Sequence, residues 1–179
     1  PGPLPFAPLV ETVVMREEAI PEVKSYPKEL ASPRFASVLA GGKNTGLVVA
    51  KKTAESASYD TLLIDLNRDG DLASSESVNL KLTERPAQGG KKLVMAMSDT
   101  ARVGAGAGAV PIRFEFRDNP GFPLSARITY FPYVEAKITL GADTVLVAVL
   151  DKDLDGAYGG ASDLWTVAGS GAWGSRPEG

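Results

Sequence analysis

Turn-forming residues punctuate this chain so closely that it has room for short strands and little else. Prolines at 1, 3, 5, 8, 21, 27 and 33 fix φ and remove N–H donors, so no helix longer than about two turns fits before residue 34. That stretch reads as an extended, Pro-rich N-terminal arm, with Leu9 to Met15 as its one strand and Glu17 to Ala19 as a short helical turn ahead of Pro21. From Phe35 onward, short runs rich in Val, Ile, Leu and Thr are separated by Gly, Asn, Asp and Ser clusters, the pattern of antiparallel β structure. The expected strands are Ala36 to Ala40, Leu47 to Lys51, Thr61 to Asp65, Val78 to Leu82, Lys92 to Met97, Val110 to Phe116, Ala126 to Tyr130, Val134 to Leu140 and Thr144 to Asp151. Their spacing predicts an all-β fold, an antiparallel sandwich or open barrel over 35–168, between the arm at 1–34 and a Gly-rich C-terminal tail at 169–179.

Two kinds of strand are expected. Val78, Leu80 and Leu82 alternate with Asn79 and Lys81, and Ile112, Phe114 and Phe116 with Arg113 and Glu115, so each should have one wet face. The runs Thr61 to Ile64 and Val145 to Leu150 are apolar throughout, which suits central strands covered on both faces.

Composition narrows the chemistry. The 179 residues include no His and no Cys, which excludes Ser-His-Asp and Cys-His catalysis, ordinary zinc, haem and iron-sulfur ligation, and disulfides. A chain this long buries roughly 70% of its unfolded surface and needs no covalent staple. Basic residues occur as isolated pairs (Lys51-Lys52, Lys91-Lys92) and the net charge is -3, so no nucleic-acid footprint is present. No apolar run approaches the roughly 20 residues of a transmembrane segment. The chain opens on Pro1 without a basic and then apolar leader, as expected of a processed or trimmed form.

What remains is carboxylate chemistry, and it is concentrated in two loops. Residues 65–76 fit the calcium-loop pattern D-x-[DN]-x-[DN]-G-x5-E with Asp65, Asn67, Asp69, Gly70 and Glu76, and Leu72 stands at the apolar eighth place. Calcium wants six to eight oxygens at roughly 2.3 to 2.6 Å, and side-chain oxygens at alternate residues of a tight loop converge on one point. In that scheme the carbonyl of Asp71 is a ligand and Glu76 closes the site. The second loop repeats the pattern with Asp151, Asp153, Asp155 and Gly156, the Ala157 carbonyl and Tyr158 at the eighth place, but its closing carboxylate comes one residue late, as Asp163. Asp, Asn and Gly are also common turn residues, so a single DxDxDG would read as a hairpin turn. Two copies, each at the end of an apolar strand, favour a pair of Ca²⁺ sites. Two such ions would carry the formal charge from -3 to +1. The order strand, glycine turn (Gly41-Gly42, Gly141-Ala142), strand, Asp loop occurs twice, the sign of a divergent internal duplication.

The loops resemble EF-hand loops, but β-forming sequence flanks them instead of amphipathic helices. The phrases LLIDLNRDGDL and VAVLDKDLDGAYG are similar to the strand-flanked aspartate loops of secreted bacterial modules, some of which stand ahead of a thioredoxin-like domain. The resemblance covers about 60 residues; it implies calcium binding and export to a periplasmic or extracellular location, and it implies no reaction.

The expected function is a non-enzymatic, secreted, calcium-stabilised structural or assembly module at the cell surface or in an extracellular polymer. Its apolar arm (Leu4, Phe6, Leu9, Val10, Val13, Val14) is expected either to complete the sheet of a second copy or another extracellular protein, or to pack on its own domain. The alternative is a carbohydrate-binding or accessory domain of a secreted enzyme, with Trp165, Trp173, Tyr130, Phe131 and Tyr133 as a glycan platform; core and edge packing is the plainer role for such aromatics. The segment VGAGAGAV at 103–110 reads as a hairpin tip, since it lacks the Lys-Ser/Thr ending of a phosphate loop.

Overall fold

The computed structural model describes residues 8–86, 92–104, 109–119, 121–158, 160–167 and 174–175. The tip of the 103–110 segment, Leu4 and Phe6 of the arm and most of the tail, including Trp173, lie outside the described residues.

The fold is all-β and antiparallel, in three sheets that do not close into a barrel. The first sheet runs β1 (Leu9–Val14), β10 (Ser125–Tyr130), β9 (Val110–Asp118), β7 (Lys92–Ser98) and β6 (Leu80–Pro86), with β8 (Ala101–Val103) also on β9. The second runs β2 (Ala31–Ala40), β3 (Lys43–Lys51), β4 (Thr61–Ile64) and β5 (Ser77–Val78). The third runs β11 (Tyr133–Leu140), β12 (Asp143–Leu150), β13 (Leu164–Val167) and β14 (Gly174–Ser175).

The first two sheets share one core. Alternate residues of β9 (Ile112, Phe114, Phe116) and β10 (Ala126, Ile128) meet alternate residues of β2 (Ala36, Val38), β3 (Leu47, Val49) and β4 (Leu62, Ile64). This is what period-2 patterning dictates when two half-wet sheets bury their apolar faces together.

The second sheet is covered on its other face too. Ile20 and Val23 of the N-terminal segment lie on Phe35, Val48, Ala50 and Leu63, and Tyr26 and Leu30 pack beside them. Thr61 to Ile64 is therefore a central strand buried from both sides, as its composition predicts. Residues 9–30, part of the expected N-terminal arm, belong to the fold, which is the second of the two placements expected for the arm. Leu9 to Val14 pair with Tyr130 to Ser125 of the same chain, and the Tyr130 hydroxyl, buried and with its pKa raised by that burial and by Glu11, donates to the Glu11 carboxylate.

Gly46 is where the cover passes closest. A Cβ there would stand 2.7 Å from Val23 Cγ2 and 2.8 Å from the carbonyl oxygen of Glu22, and a backbone atom cannot swing aside as a side-chain tip can. Gly46→Ala should therefore cost about 1–3 kcal/mol, as overpacking does, and lift the 16–30 segment off its sheet. Urea unfolding and the rate of proteolysis within that segment test this; a parent-like rate would mean that the segment does not press on β3.

Three expectations are corrected. Glu17 to Ala19 is irregular, since Pro21 leaves too few residues for a helical turn; the one helical element among the described residues is a 3₁₀ turn at Ser74–Glu76. Val78 to Leu82 is not one strand, because the chain changes sheets at Asn79 and Leu82 ends 46% exposed. Val145 to Leu150 is central in its sheet, but only Ala148 and Leu150 are buried.

Candidate metal sites

Each aspartate loop closes a β-hairpin: β4 pairs with β5 across residues 65–76, and β12 with β13 across 151–163. The entering strand is apolar and the loop is not, so the first carboxylate of each is placed where the core ends: Asp65 is 3% exposed and Asp151 0%. A buried charge needs partners.

The loop backbone supplies them, and it does so identically in both. In the first loop Asp65 Oδ1 accepts from the Asp69 N–H (3.1 Å) and Oδ2 from the Gly70 N–H (2.9 Å); in the second, Asp151 accepts from the N–H groups of Asp155 (3.0 Å) and Gly156 (2.8 Å). The fifth residue accepts from the seventh, Asp69 from Asp71 and Asp155 from Ala157, each at 2.7 Å. The fourth and sixth residues are left-handed in both, Arg68 (φ 65°) and Gly70 (86°) matching Leu154 (59°) and Gly156 (83°). The sixth position needs glycine for this reason, since a side chain is strained there.

The closing carboxylates correspond as well. Glu76 accepts from Leu66 (2.9 Å) and Ala73 (3.0 Å), the loop's second residue and the residue three before itself; Asp163 accepts from Lys152 (3.3 Å) and Gly160 (2.8 Å), the same two places. The extra residue of the second loop lets a shorter side chain reach the position of Glu76. Both are buried, at 6% and 3% exposure.

The loops differ in how far their carboxylates converge. Asp151, Asp153 and Asp155 bring one oxygen each within 4.8 Å of one another, a group that can hold a metal ion. Among the described residues the first loop forms no such group; its third ligand position is the amide of Asn67, whose Oδ1 accepts from the Asp69 N–H at 2.9 Å. The crowding has an electrostatic signature. Burial, with Asp153 and Asp155 alongside, pushes the Asp151 carboxyl up to about 6, while the Ser162 hydroxyl, donating to Asp153, lowers that neighbour. A carboxyl whose folded pKa is raised contributes stability below its unfolded pKa and loses it as pH rises through the folded one, so the Asp151 contribution is lost above about 6, while that of the lowered Asp153 runs the other way. A divalent cation reverses that penalty by replacing the proton.

Sequence reading missed the groups that brace the loops from afar. Lys24 and Ser25, in the segment covering the second sheet, reach 45 and 46 residues along the chain: Lys24 Nζ donates to the Asp69 carbonyl and Ser25 Oγ to the Asp71 carboxylate (2.9 Å). One oxygen of the Asp71 carboxylate is thus engaged outside the loop. Both loops also hold the Gly41-Gly42 turn, where the Arg68 guanidinium donates to the Ala40 carbonyl and the Gly42 N–H donates to the Leu154 carbonyl at 2.6 Å. No local pattern signals contacts of this range.

Of the aromatic set, Tyr130 lies in the core, Phe131 lies beneath the Arg113 guanidinium, and Trp165 is 44% exposed. Glu84 and Glu115 are face charges paired with Lys92 and Arg117.

The chain matches no family model, no curated protein and no solved structure.

Proposed function

We propose that this chain is a calcium-stabilised structural β-domain of an extracytoplasmic protein, with one Ca²⁺ held by Asp65, Asn67, Asp69, the Asp71 carbonyl and Glu76, and a second by Asp151, Asp153, Asp155, the Ala157 carbonyl and Asp163. The observation that carries the reading is the common winding of the two loops. Two segments of different sequence and length adopt the same left-handed positions and the same carboxylate-to-backbone bonds, and in the second the oxygens of three alternate aspartates lie within 4.8 Å of one another. An all-oxygen set in a flexible loop suits calcium, which accepts variable geometry, over magnesium, which demands a near-ideal octahedron. Hairpin strands flank the loops, with no helix pair to swing open, so the ion ties strand ends together and does not act as a switch. Extracellular modules bind at roughly 10⁻⁴ to 10⁻³ M, where calcium outside the cell keeps them loaded.

Calorimetric titration of the chelated protein should find two sites in that range. At about 10 mM calcium the stability gain should be about 3–5 kcal/mol for both sites together, and the unfolding midpoint should rise by roughly 6–20 °C. Magnesium at the same concentration should give a smaller rise. No calcium heat and an unmoved midpoint would refute the proposal.

A further inference from the structure

A cavity of about 360 Å³ opens between the first two sheets, at the end of β4 away from the first aspartate loop. Small-molecule sites run from roughly 300 to 1,000 Å³, so it is large enough for a small ligand. Its floor is apolar and belongs to the core: Met15 and Leu124 are both buried, and the Met15 N–H donates to the Leu124 carbonyl at 2.9 Å. Phe122, in the loop between β9 and β10, extends that apolar surface to the rim, where it is 69% exposed. The charged groups around the floor do not balance. The Arg34 guanidinium is already answered, with Nη2 2.9 Å from Glu17 Oε1 and Nη1 donating to the Pro33 carbonyl at 3.2 Å. Asp118, where β9 ends, has no hydrogen bond or ion pair among the described residues, which leaves the cavity one uncompensated negative charge. Tyr59 is only 8% exposed, yet its hydroxyl has no hydrogen-bond partner among the described residues and is not sealed in the core. Burial raises its pKa, with Asp118 and Glu17 adding to the rise and Arg34 opposing it, so a neutral phenol stands within the field of the cavity's charged groups. Buried tyrosines usually find a partner, and here the open side is the cavity.

We infer that this cavity binds a primary aliphatic amine as its ammonium ion. The inference does not rest on calcium. An ammonium head supplies the positive charge that Asp118 lacks, and its three N–H groups can donate to the Asp118 carboxylate and to the Tyr59 oxygen, charge-assisted bonds that are stronger than neutral ones. The aliphatic stem then lies on Met15, Leu124 and Phe122. Other ligand classes fit less of the site. An anion would face Asp118 and Glu17 and gain only an arginine that is already paired. A calcium ion wants six to eight oxygens and would sit against a methionine and a leucine. A neutral polyol would set its hydroxyls on the apolar floor and leave the Asp118 charge unanswered.

Hexylamine, hexanol and hexanoate share one stem and differ in the head group, and hexylamine is protonated at neutral pH as a lysine side chain is. Calorimetric titration of the whole chain at neutral pH should give hexylamine a Kd on the order of 0.1–1 mM, with hexanol and hexanoate at least ~10-fold weaker. Asp118→Asn should weaken hexylamine at least ~10-fold, and Tyr59→Phe, which keeps the ring, about 3-fold. Phe122→Ala removes a ring that is mostly in solvent, so its unfolding midpoint should match the parent while hexylamine binding weakens about 3-fold through the lost stem contact. Glu84→Gln, which changes an exposed carboxylate of β6, should leave the Kd at the parent value. A folded parent with no saturable heat up to about 20 mM hexylamine, or one that binds hexanol as tightly, would overturn the inference. So would a folded Asp118→Asn or Phe122→Ala protein with the parent's Kd, or a Glu84→Gln protein that loses binding.

Discussion

Asp65→Ala is expected to lower the unfolding midpoint by roughly 2–8 °C even in a chelator, because it leaves the Gly70 N–H without an acceptor where β4 meets its loop, while the Asp69 N–H keeps the Asn67 amide oxygen. One such donor costs about 1–2 kcal/mol, with each kcal/mol worth about 2–4 °C in a domain of this size. Asp65→Asn separates that structural cost from an ionic one. It keeps an oxygen acceptor at the same place and removes the negative charge, so in a chelator it should cost less than the alanine, while the share of the calcium gain due to the first loop should vanish in both. Asp71→Ala is the control: its exposed carboxylate accepts only from Ser25, and the loss should be below about 1 kcal/mol. An Asp65→Asn protein with the full calcium response would remove the first loop from the proposal and leave the second, whose three carboxylates converge, as the only candidate site.

Phe114→Ala should cost about 3–5 kcal/mol, seen as a fall of roughly 6–20 °C in the midpoint. Phe114 is 0% exposed at the centre of β9, stacked on Phe116 with ring centroids 6.1 Å apart, and its ring fills the space between the first two sheets. Sheet interiors relax only partly around a deleted ring, and the cavity adds to the lost transfer energy. Phe114→Leu keeps most of the volume and should cost about 1–2 kcal/mol. Because neither aspartate loop contains Phe114, calcium stoichiometry should stay at its parent value in the folded fraction. A loss under 1 kcal/mol for the alanine variant would mean that the two sheets do not share this core.

The sequence by itself determined what depends on neighbours a few residues apart. Alternation placed Val110 to Phe116, Ala126 to Tyr130 and Val134 to Leu140 within two residues of β9, β10 and β11, because the pleat sends successive side chains to opposite faces wherever the strand lies. The Asp loops were legible for the same reason: a left-handed glycine at the sixth place and carboxylates at alternate positions act within a dozen residues. Only the tertiary structure decided which strands share a sheet, that Asn79 is where the chain crosses from one sheet to another, and that residues 16–30 form a roof with Lys24 and Ser25 braced on a loop 45 residues away. It also separated two apolar runs that look alike in sequence. Leu62 to Ile64 is enclosed by the first sheet and the N-terminal segment, whereas Val145, Val147 and Val149 stay half-buried on an open face. An apolar run records that a strand gains by being covered, but what covers it lies far along the chain or on another molecule, and neither leaves a mark in the local pattern.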